Sequence, residues 1–275
     1  MQANNLVLLE HVNLHQNDMA LATQFYVVGL GLTRDPYLMV GLDNMWVNAG
    51  RTQFHLPSRS TAQRLRGSIG LVLPSLAALQ ESLQRVAASL SHTEFSIRVD
   101  GETLLVTCPW GNRLRCHEAV AAQFGGMALG IAYVEFDVPP GSVRGIAHFY
   151  AEVMGAELAA QSESAVTVGL QSQQQLRFVE RAAPQAAYDG HHIQVYLNDP
   201  AAPFRQLRSR GLVSDGQHGS DWRFCRIEDE ASGALLFEIE HEVRGCDHPL
   251  FGRPLVNRNP AQTTANYSRG EDALI

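Results

Sequence analysis

The residues with the clearest chemical potential lie in the stretch Gly190–Asp199. Here His192, Gln194 and Tyr196 alternate with apolar residues, which is the two-residue period of a β-strand. One face of this strand is therefore suited to a core, whereas the other carries an imidazole, an amide and a phenol. Such a face is suited to line a wet pocket. Tyr196 is a candidate catalytic residue there, although it could equally fill the pocket.

The stretch Leu235–Glu242 repeats the arrangement with carboxylates. Glu238 and Glu240 share one face, and the opposite face is apolar. If the two strands belong to one sheet, His192 can meet a carboxylate on its concave side. The rest of the chain must supply the elements that bring these strands together.

Composition limits the kind of protein that can use these residues. A chain of 275 residues with 45% hydrophobic content suits a globular protein of two domains. The formal net charge of −7 and the absence of a basic block argue against nucleic acid or an anionic membrane as a partner. The apolar runs are too short to span a bilayer, and the N-terminus lacks a signal core. The four cysteines have no CxxC spacing, so we expect free thiols and a cytoplasmic protein.

The elements that position these strands repeat along the chain. Each of four segments reads as a strand, a helix and three further strands. A Phe-Tyr pair that begins at Phe25 recurs 124 residues later at Phe149, and the same offset separates Ser68 from His192. A fixed period at two levels predicts a βαβββ unit that is duplicated, and then duplicated again.

These features resemble the vicinal oxygen chelate superfamily. The shared features are paired βαβββ modules, a His-Val strand start, a Phe-Tyr helix that ends in Gly-Leu-Gly-Leu, and a last strand after Pro-Trp-Gly-Asn. The superfamily includes glyoxalase I, fosfomycin-resistance enzymes, bleomycin-binding proteins and extradiol dioxygenases. The resemblance covers roughly residues 7–245 and implies an α/β (α+β) fold, in which four modules form two cup-shaped domains. We expect these domains to span 1–122 and 127–245, before a partly disordered extension over 246–275.

In the first cup, the family's ligand positions fall on His11, His55, Ser68 and Arg115. Ser68 is a weak neutral ligand, and the permanent cation of Arg115 repels a metal ion. His117 shares the face of Arg115, so the floor of this cup is cationic. The resemblance therefore implies a ligand-binding pocket for a carboxylate or phosphate, lined by these histidines and Arg115, rather than a metal site. The alternative is that they are surface residues of an edge strand.

The second cup matches the family's metal ligands better. His192 and Glu238 have the expected types, but Tyr133 stands where extradiol enzymes have a histidine. A shift of two residues along the same face reaches Glu135, whose carboxylate could substitute. One imidazole and two carboxylates suit Mn²⁺, Fe²⁺ or Zn²⁺, with Glu240 as a general base or supporting group. The alternative is a solvated strand end beside a structural histidine.

Two functions stay open from the sequence. The first is a metal-dependent enzyme, a dioxygenase or a lyase, that acts on a small oxygenated or aromatic molecule in the C-terminal cup. The second is a metal-free protein that sequesters a small molecule, as bleomycin-resistance proteins do. Tyr133 and Arg115 favour the second function. The segment Arg244–Asn259 is interpreted as an extension that covers a cup or the partner in a homodimer.

Overall fold

The computed structural model describes residues 4–38, 43–120, 122–183 and 185–274. Five short stretches lie outside the described residues: 1–3, 39–42, 121, 184 and 275. They include parts of the expected domains and of the expected C-terminal extension. None of the helices in the described part of the chain has the length and apolar character needed to cross a membrane.

Four βαβββ modules follow one another along the chain, which confirms the predicted α+β fold. The strands of the first two modules are β1 (Leu6–Asn13), β2 (Thr33–Arg34), β3 (Asn44–Ala49), β4 (Thr52–Pro57), β5 (Gly67–Leu73), β6 (Ser96–Asp100), β7 (Thr103–Thr107) and β8 (Arg113–Glu118). Those of the last two are β9 (Gly130–Val138), β10 (Glu157–Gln161), β11 (Ala165–Gly169), β12 (Gln175–Glu180), β13 (His192–Leu197), β14 (Val213–His218), β15 (Asp221–Glu228) and β16 (Leu235–Gly245). The helices are α1 (Met19–Ala22), α2 (Leu76–Leu90), α3 (Val143–His148) and α4 (Ala201–Ser209), and a short pair, β17 (Asn257–Arg258) and β18 (Ala273–Leu274), follows the modules.

The helices of the first and third modules share an unusual ending. The α1 helix begins after Asp18, whose carboxylate accepts hydrogen bonds from the amides of Ala20 and Leu21 at 2.9 and 3.0 Å. It continues as a π-helical turn over Thr23–Gly29, and α3 likewise continues as a π-helical turn over Phe149–Val153. The Phe-Tyr pairs lie in these two turns.

The chain divides into two units. Unit 1 comprises Met1–Val12, Leu65–Ile69 and Ala132–Arg253, and unit 2 comprises Asn13–Arg64, Gly70–Ile131 and Pro254–Ile275. Unit 1 contains neighbouring strands in the orders β14-β15-β16-β13-β1 and β10-β11-β12-β9. Unit 2 contains the orders β4-β3-β2 and β8-β7-β6. In unit 1, β13 is parallel to β16 and β12 is parallel to β9, whereas the outer strands are antiparallel.

The strand neighbours in unit 1 come from modules that are not adjacent in the chain or meet at an edge that the repeat does not specify. The first strand of module one, β1, lies beside β13 of module four. The chain just before β5 of module two runs along β9 of module three, where the amide of Asp137 donates to the carbonyl of Arg66 at 2.8 Å. The division into domains over 1–122 and 127–245 stays a prediction. A sequence repeat shows where each module begins and ends. Which strand edges of two modules pair depends on contacts between residues that are far apart in the chain.

Aromatic side chains form the core of unit 1. The rings of Phe136, Phe178 and Phe237 lie with centroids 5.2 to 6.3 Å apart. Each is buried, and burying one such ring contributes about 1.5–3 kcal/mol relative to exposure. Because these rings point to one face of their strands, the polar residues that alternate with them point to the other.

A buried histidine completes this core. Burial lowers the pKa of His241 to about 4, so its ring is neutral. Its Nδ1 lies 2.9 Å from the carbonyl of Ile239, and its Nε2 lies 2.6 Å from the hydroxyl of Tyr150. The carbonyl can only accept, so Nδ1 carries the proton and Nε2 accepts from the tyrosine. In module one, the matching Tyr26 is hydrogen-bonded to the thiol of Cys108.

The two tyrosines provide a matched test of this arrangement. Tyr150→Phe leaves the buried Nε2 of His241 without its donor, and we expect a loss of about 1–3 kcal/mol in the free energy of unfolding. Tyr26→Phe removes only a bond to a thiol, which is a weak partner, and should cost less. Urea denaturation of both variants checks the order. Equal losses would contradict the importance of the Tyr150–His241 bond.

All four cysteines, which lie within the described residues, are free thiols, as expected. Cys108 and Cys116 are buried, whereas Cys225 and Cys246 are partly exposed. Burial raises the pKa of Cys116 to about 12, so this thiol stays protonated at neutral pH.

We therefore expect a thiol reagent at pH 8 to modify Cys225 and Cys246 before the two buried cysteines in the native protein. Cys108 and Cys116 should react only after unfolding in guanidinium, when all four thiols become accessible. Peptide mapping after timed labelling identifies the modified positions. Rapid modification of Cys116 in the native protein would show that its strand opens readily.

Candidate functional site

The polar face of β13 lies against the polar face of β16 in unit 1. The strands are parallel, and their register pairs three sets of residues: His192 with Glu240, Gln194 with Glu242, and Tyr196 with Arg244. Side chains alternate along both strands, so these six share one face of the sheet. The predicted meeting of His192 with a carboxylate therefore occurs.

His192 lies between two carboxylates. Its Nδ1 is 3.6 Å from Oε1 of Glu240, and its Nε2 is 3.7 Å from Oε2 of Glu242. These distances exceed those of a hydrogen bond, so the carboxylates act on the imidazole mainly through charge. The side chain of His192 is only 11% exposed, which strengthens that electrostatic effect.

Two arginines distinguish the carboxylates from each other. Arg223 contacts one oxygen of Glu242 and Arg244 contacts the other. Arg223 also donates to Oε1 of Glu240 at 2.7 Å. Both oxygens of Glu242 are thus engaged and its side chain is 6% exposed, whereas Glu240 uses one oxygen with an arginine and is 26% exposed. Glu240 is therefore the carboxylate with capacity to coordinate a metal ion.

The neighbouring strand β1 brings a second imidazole to this face. The ring centroids of His11 and His192 are 5.9 Å apart, and a nitrogen of one lies within 4.8 Å of a nitrogen of the other. Nδ1 of His11 lies 3.1 Å from the carboxylate of Glu10. A proton on Nδ1 makes this a donor to Glu10 and presents Nε2 as the coordinating atom.

Glu10 also connects His11 to the far end of the site. Burial opposes its ionisation, but the hydrogen bond from His11 and the charge of Arg244 hold the pKa of Glu10 below its usual value. Its carboxylate lies 3.5 Å from Arg244 and accepts a hydrogen bond from the hydroxyl of Tyr196 at 3.3 Å. Burial and the charge of Glu10 raise the pKa of the Tyr196 phenol. Tyr196 therefore keeps its proton and acts as a donor.

The segment after β16 lies over Tyr196. The ring of Phe251 contacts it edge to face, with centroids 4.9 Å apart, and the ring of His248 lies at 6.5 Å. The backbone of this segment turns back on itself, since the amide of Phe251 donates to the carbonyl of His248 at 2.9 Å. Part of the predicted extension thus covers one end of the polar face.

His11, His192 and Glu240 together offer two imidazoles and one carboxylate. This donor set fits a divalent ion of intermediate hardness such as Fe²⁺, Mn²⁺ or Zn²⁺. The carboxylate beside His11 and the arginine beside Glu240 are the kind of supporting partners that orient metal ligands. The residues present therefore fit the ion that the sequence predicted, with a different ligand set.

The other ligands inferred from the sequence lie at other positions in the structure. Glu238 is two residues before Glu240, and it is Glu240 that the register places opposite His192. Glu135 belongs to β9 in the other sheet, where its carboxylate lies 3.5 Å from Arg181. The register of β13 and β16 decides which carboxylate lies opposite His192. Alternation in the sequence does not define that register.

Tyr133 also lies on β9 rather than beside His192. It is 1% exposed, and the guanidinium of Arg177 stacks over its ring at 3.6 Å from the centroid. The phenol is thus part of a cation–π pair. The structure does not bring it to the two imidazoles.

His55, predicted to line the first cup, lies on β4 in unit 2. Its ring stacks on that of Trp46 with centroids 3.8 Å apart, and its Nε2 lies 2.7 Å from Oδ1 of Asn44. These contacts within unit 2 hold the imidazole in one orientation.

The predicted cationic strand is β8 of unit 2. Arg115 lies 3.8 Å from the carboxylate of Asp100, and its side chain is 42% exposed. The ring of His117 lies 5.1 Å from that of Phe124. Asp100 offsets part of the positive charge, and an anion pocket on this strand stays a prediction.

Sequence reasoning missed the pairing of His11 with His192 and the roles of Glu10, Arg223 and Arg244. The alternation of acids and bases on β15 and β16 was visible, and it signals ion pairs across neighbouring strands. The register that joins particular partners was not visible.

Comparison with known proteins shows similarity at the level of structure. No family model matches the chain, and no curated protein matches it in sequence. A protein of Bacillus subtilis subsp. subtilis str. 168 that carries a provisional dioxygenase name is 15% identical over 92% of both chains, with a TM-score of 0.59. Glyoxalase I from Zea mays is 11% identical over 86% of this chain and 91% of that one, also with a TM-score of 0.59. The chain therefore has the fold of the vicinal oxygen chelate superfamily.

Proposed function

We propose that this chain is a metal-dependent enzyme whose divalent ion is held by His11, His192 and Glu240. The observation that carries the proposal is a pair of buried imidazoles, with nitrogens within 4.8 Å, beside a carboxylate that has coordinating capacity. The names of the similar solved structures, a dioxygenase and a glyoxalase, support enzymatic activity on a small molecule. The proposal gives Glu240 the ligand role first given to Glu238.

A bound divalent ion would supply a Lewis acid for the oxygen atoms of a small oxygenated or aromatic substrate. Glu10 holds the ring of His11 in the orientation that presents Nε2. Arg223 fixes Glu240 through a hydrogen bond of 2.7 Å. The carboxylate of Glu242, which both Arg223 and Arg244 contact, lies 3.7 Å from Nε2 of His192 and acts on this imidazole through its charge.

Tyr196 and Phe251 form the end of the proposed site. Because Tyr196 stays protonated, it serves as a hydrogen-bond donor rather than as a base. Phe251 packs on its ring and limits the access of water to that end. We further propose a cytoplasmic location, which the four free thiols support.

A second candidate function is metal-free binding of a small molecule. The observation that favours it is the direct neutralisation of Glu240 and Glu242 by Arg223 and Arg244. Paired carboxylates do not need an ion to relieve their mutual repulsion. Under this reading the same face would sequester a polar ligand without transforming it.

Metal content distinguishes the two functions. We expect protein prepared without a polyhistidine tag and incubated with Mn²⁺, Fe²⁺ or Zn²⁺ to retain about one ion per chain after dialysis, because nitrogens of His11 and His192 lie within 4.8 Å of each other and Glu240 lies 3.6 Å from His192. His192→Ala and Glu240→Ala should each lower affinity by about a hundredfold or more, beyond the loss typical of a supporting partner. Elemental analysis by mass spectrometry provides the measurement.

Glu238→Ala is the matched control, since this residue has the same chemistry and lies on the same strand. It should bind the ion like the wild type. Circular dichroism confirms that each variant is folded. Equal metal retention in the Glu238 and Glu240 variants would exclude the proposed ligand set, and a wild type that retains no ion would favour the metal-free function.

A further inference from the structure

Gln194 has a buried side chain whose polar atoms make no hydrogen bond. Its exposure is 0%, and neither Oε1 nor Nε2 has a partner among the described residues. A buried amide without partners is costly, and most buried polar groups in proteins are paired. An apolar side chain of similar size would fill the same volume at no such cost, so the amide calls for a functional explanation.

The amide belongs to the face that carries the proposed metal ligands. Gln194 lies between His192 and Tyr196 on β13, and residues two apart on a strand point to the same side. Its Cα is roughly 6–7 Å from that of His192. A ligand bound at the imidazoles would extend toward Gln194 with its next one or two atoms.

The nearest charged groups do not satisfy this amide. Glu242 stands opposite Gln194 in the register of β13 and β16. Both oxygens of Glu242 are taken by Arg223 and Arg244. The hydroxyl of Tyr196, the next side chain on this face, donates to Glu10. Glu242 and Tyr196 are thus paired with other groups, and the amide of Gln194 is left as both a donor and an acceptor.

We propose that Gln194 is a substrate-binding residue of this site, and that it recognises a small polar molecule with a hydrogen-bond donor and an acceptor beside the oxygen atoms that face the ion. A carboxamide offers one acceptor oxygen and two N–H donors, so it complements such a ligand in both directions. Hydroxamates and hydroxy acids belong to this chemical class. The inference rests on the proposed metal-binding function.

The first test asks whether Gln194 is structural. Gln194→Met keeps a similar volume and removes the amide, so in chelator-treated protein it should leave the melting temperature unchanged or raise it by a few degrees. Gln174→Met is the matched control, because the buried amide of Gln174 bonds both the N–H and the carbonyl of Leu9, at 3.1 and 2.9 Å. That variant should melt several degrees lower. An equal drop for Gln194→Met would overturn the proposal.

The second test uses two hydroxamates as probes. Acetohydroxamate and N-methylacetohydroxamate chelate through the same two oxygens, but only the first has an N–H to donate to Oε1 of Gln194. Calorimetric titration of ion-loaded protein gives the ratio of their affinities. We expect the preference for acetohydroxamate to be about three- to tenfold greater in the wild type than in Gln194→Met, as one hydrogen bond would provide.

The outcomes separate this inference from the proposed function. If both proteins bind the ion equally and show the same ratio, Gln194 does not contact the ligand, and the metal site stands. If the wild type binds no ion, the proposed function fails and the inference fails with it. A ratio that changes while ion affinity is constant supports both.

Discussion

The parallel register of β13 and β16 is the constraint on which the candidate site depends. It sets His192 opposite Glu240 and Gln194 opposite Glu242. A slip of one residue would turn the polar face of one strand into the core. The aromatic residues on the other face prevent such a slip, because the ring of Phe237 packs between those of Phe136 and Phe178 with centroids 5.7 and 6.3 Å away. The core therefore fixes the geometry of the chemistry.

The charges of the site are balanced locally. Arg244 lies near both Glu10 and Glu242, and Arg223 binds both Glu240 and Glu242. Removing one partner of a buried ion pair typically costs about 3–5 kcal/mol, because the other charge is left without compensation. Such a network holds carboxylates at fixed positions, which is what a metal ligand requires. It also explains why the same face suits a metal-free binding protein.

The two faces of β16 have different roles: one belongs to the buried core and the other to the candidate site. Glu240 and Glu242 point to the polar face, while His241 between them points into the core and bonds Tyr150. Two histidines on neighbouring strands thus have different roles. The ring of His241 is buried and stacked on Phe224 with centroids 4.3 Å apart, whereas that of His192 meets carboxylates. Burial on one face and charge on the other account for the difference.

The sequence by itself determined the modules and the faces of the strands. The 124-residue offset predicts four βαβββ modules, and two-residue alternation places His192, Gln194 and Tyr196 on one side. Both signals are read from the order of residues along the chain, and neither needs knowledge of which strands pair. The cysteines, predicted to be free thiols, are so.

Only the tertiary structure decided which strands meet. It paired β1 with β13, so that His11 joined His192, and it chose Glu240 over Glu238. It also placed Glu135 and Tyr133 on another sheet. Alternation along a strand repeats every two residues, so several registers satisfy it equally well. The choice among them comes from packing and ion pairs between residues far apart in the chain, which a single sequence does not specify.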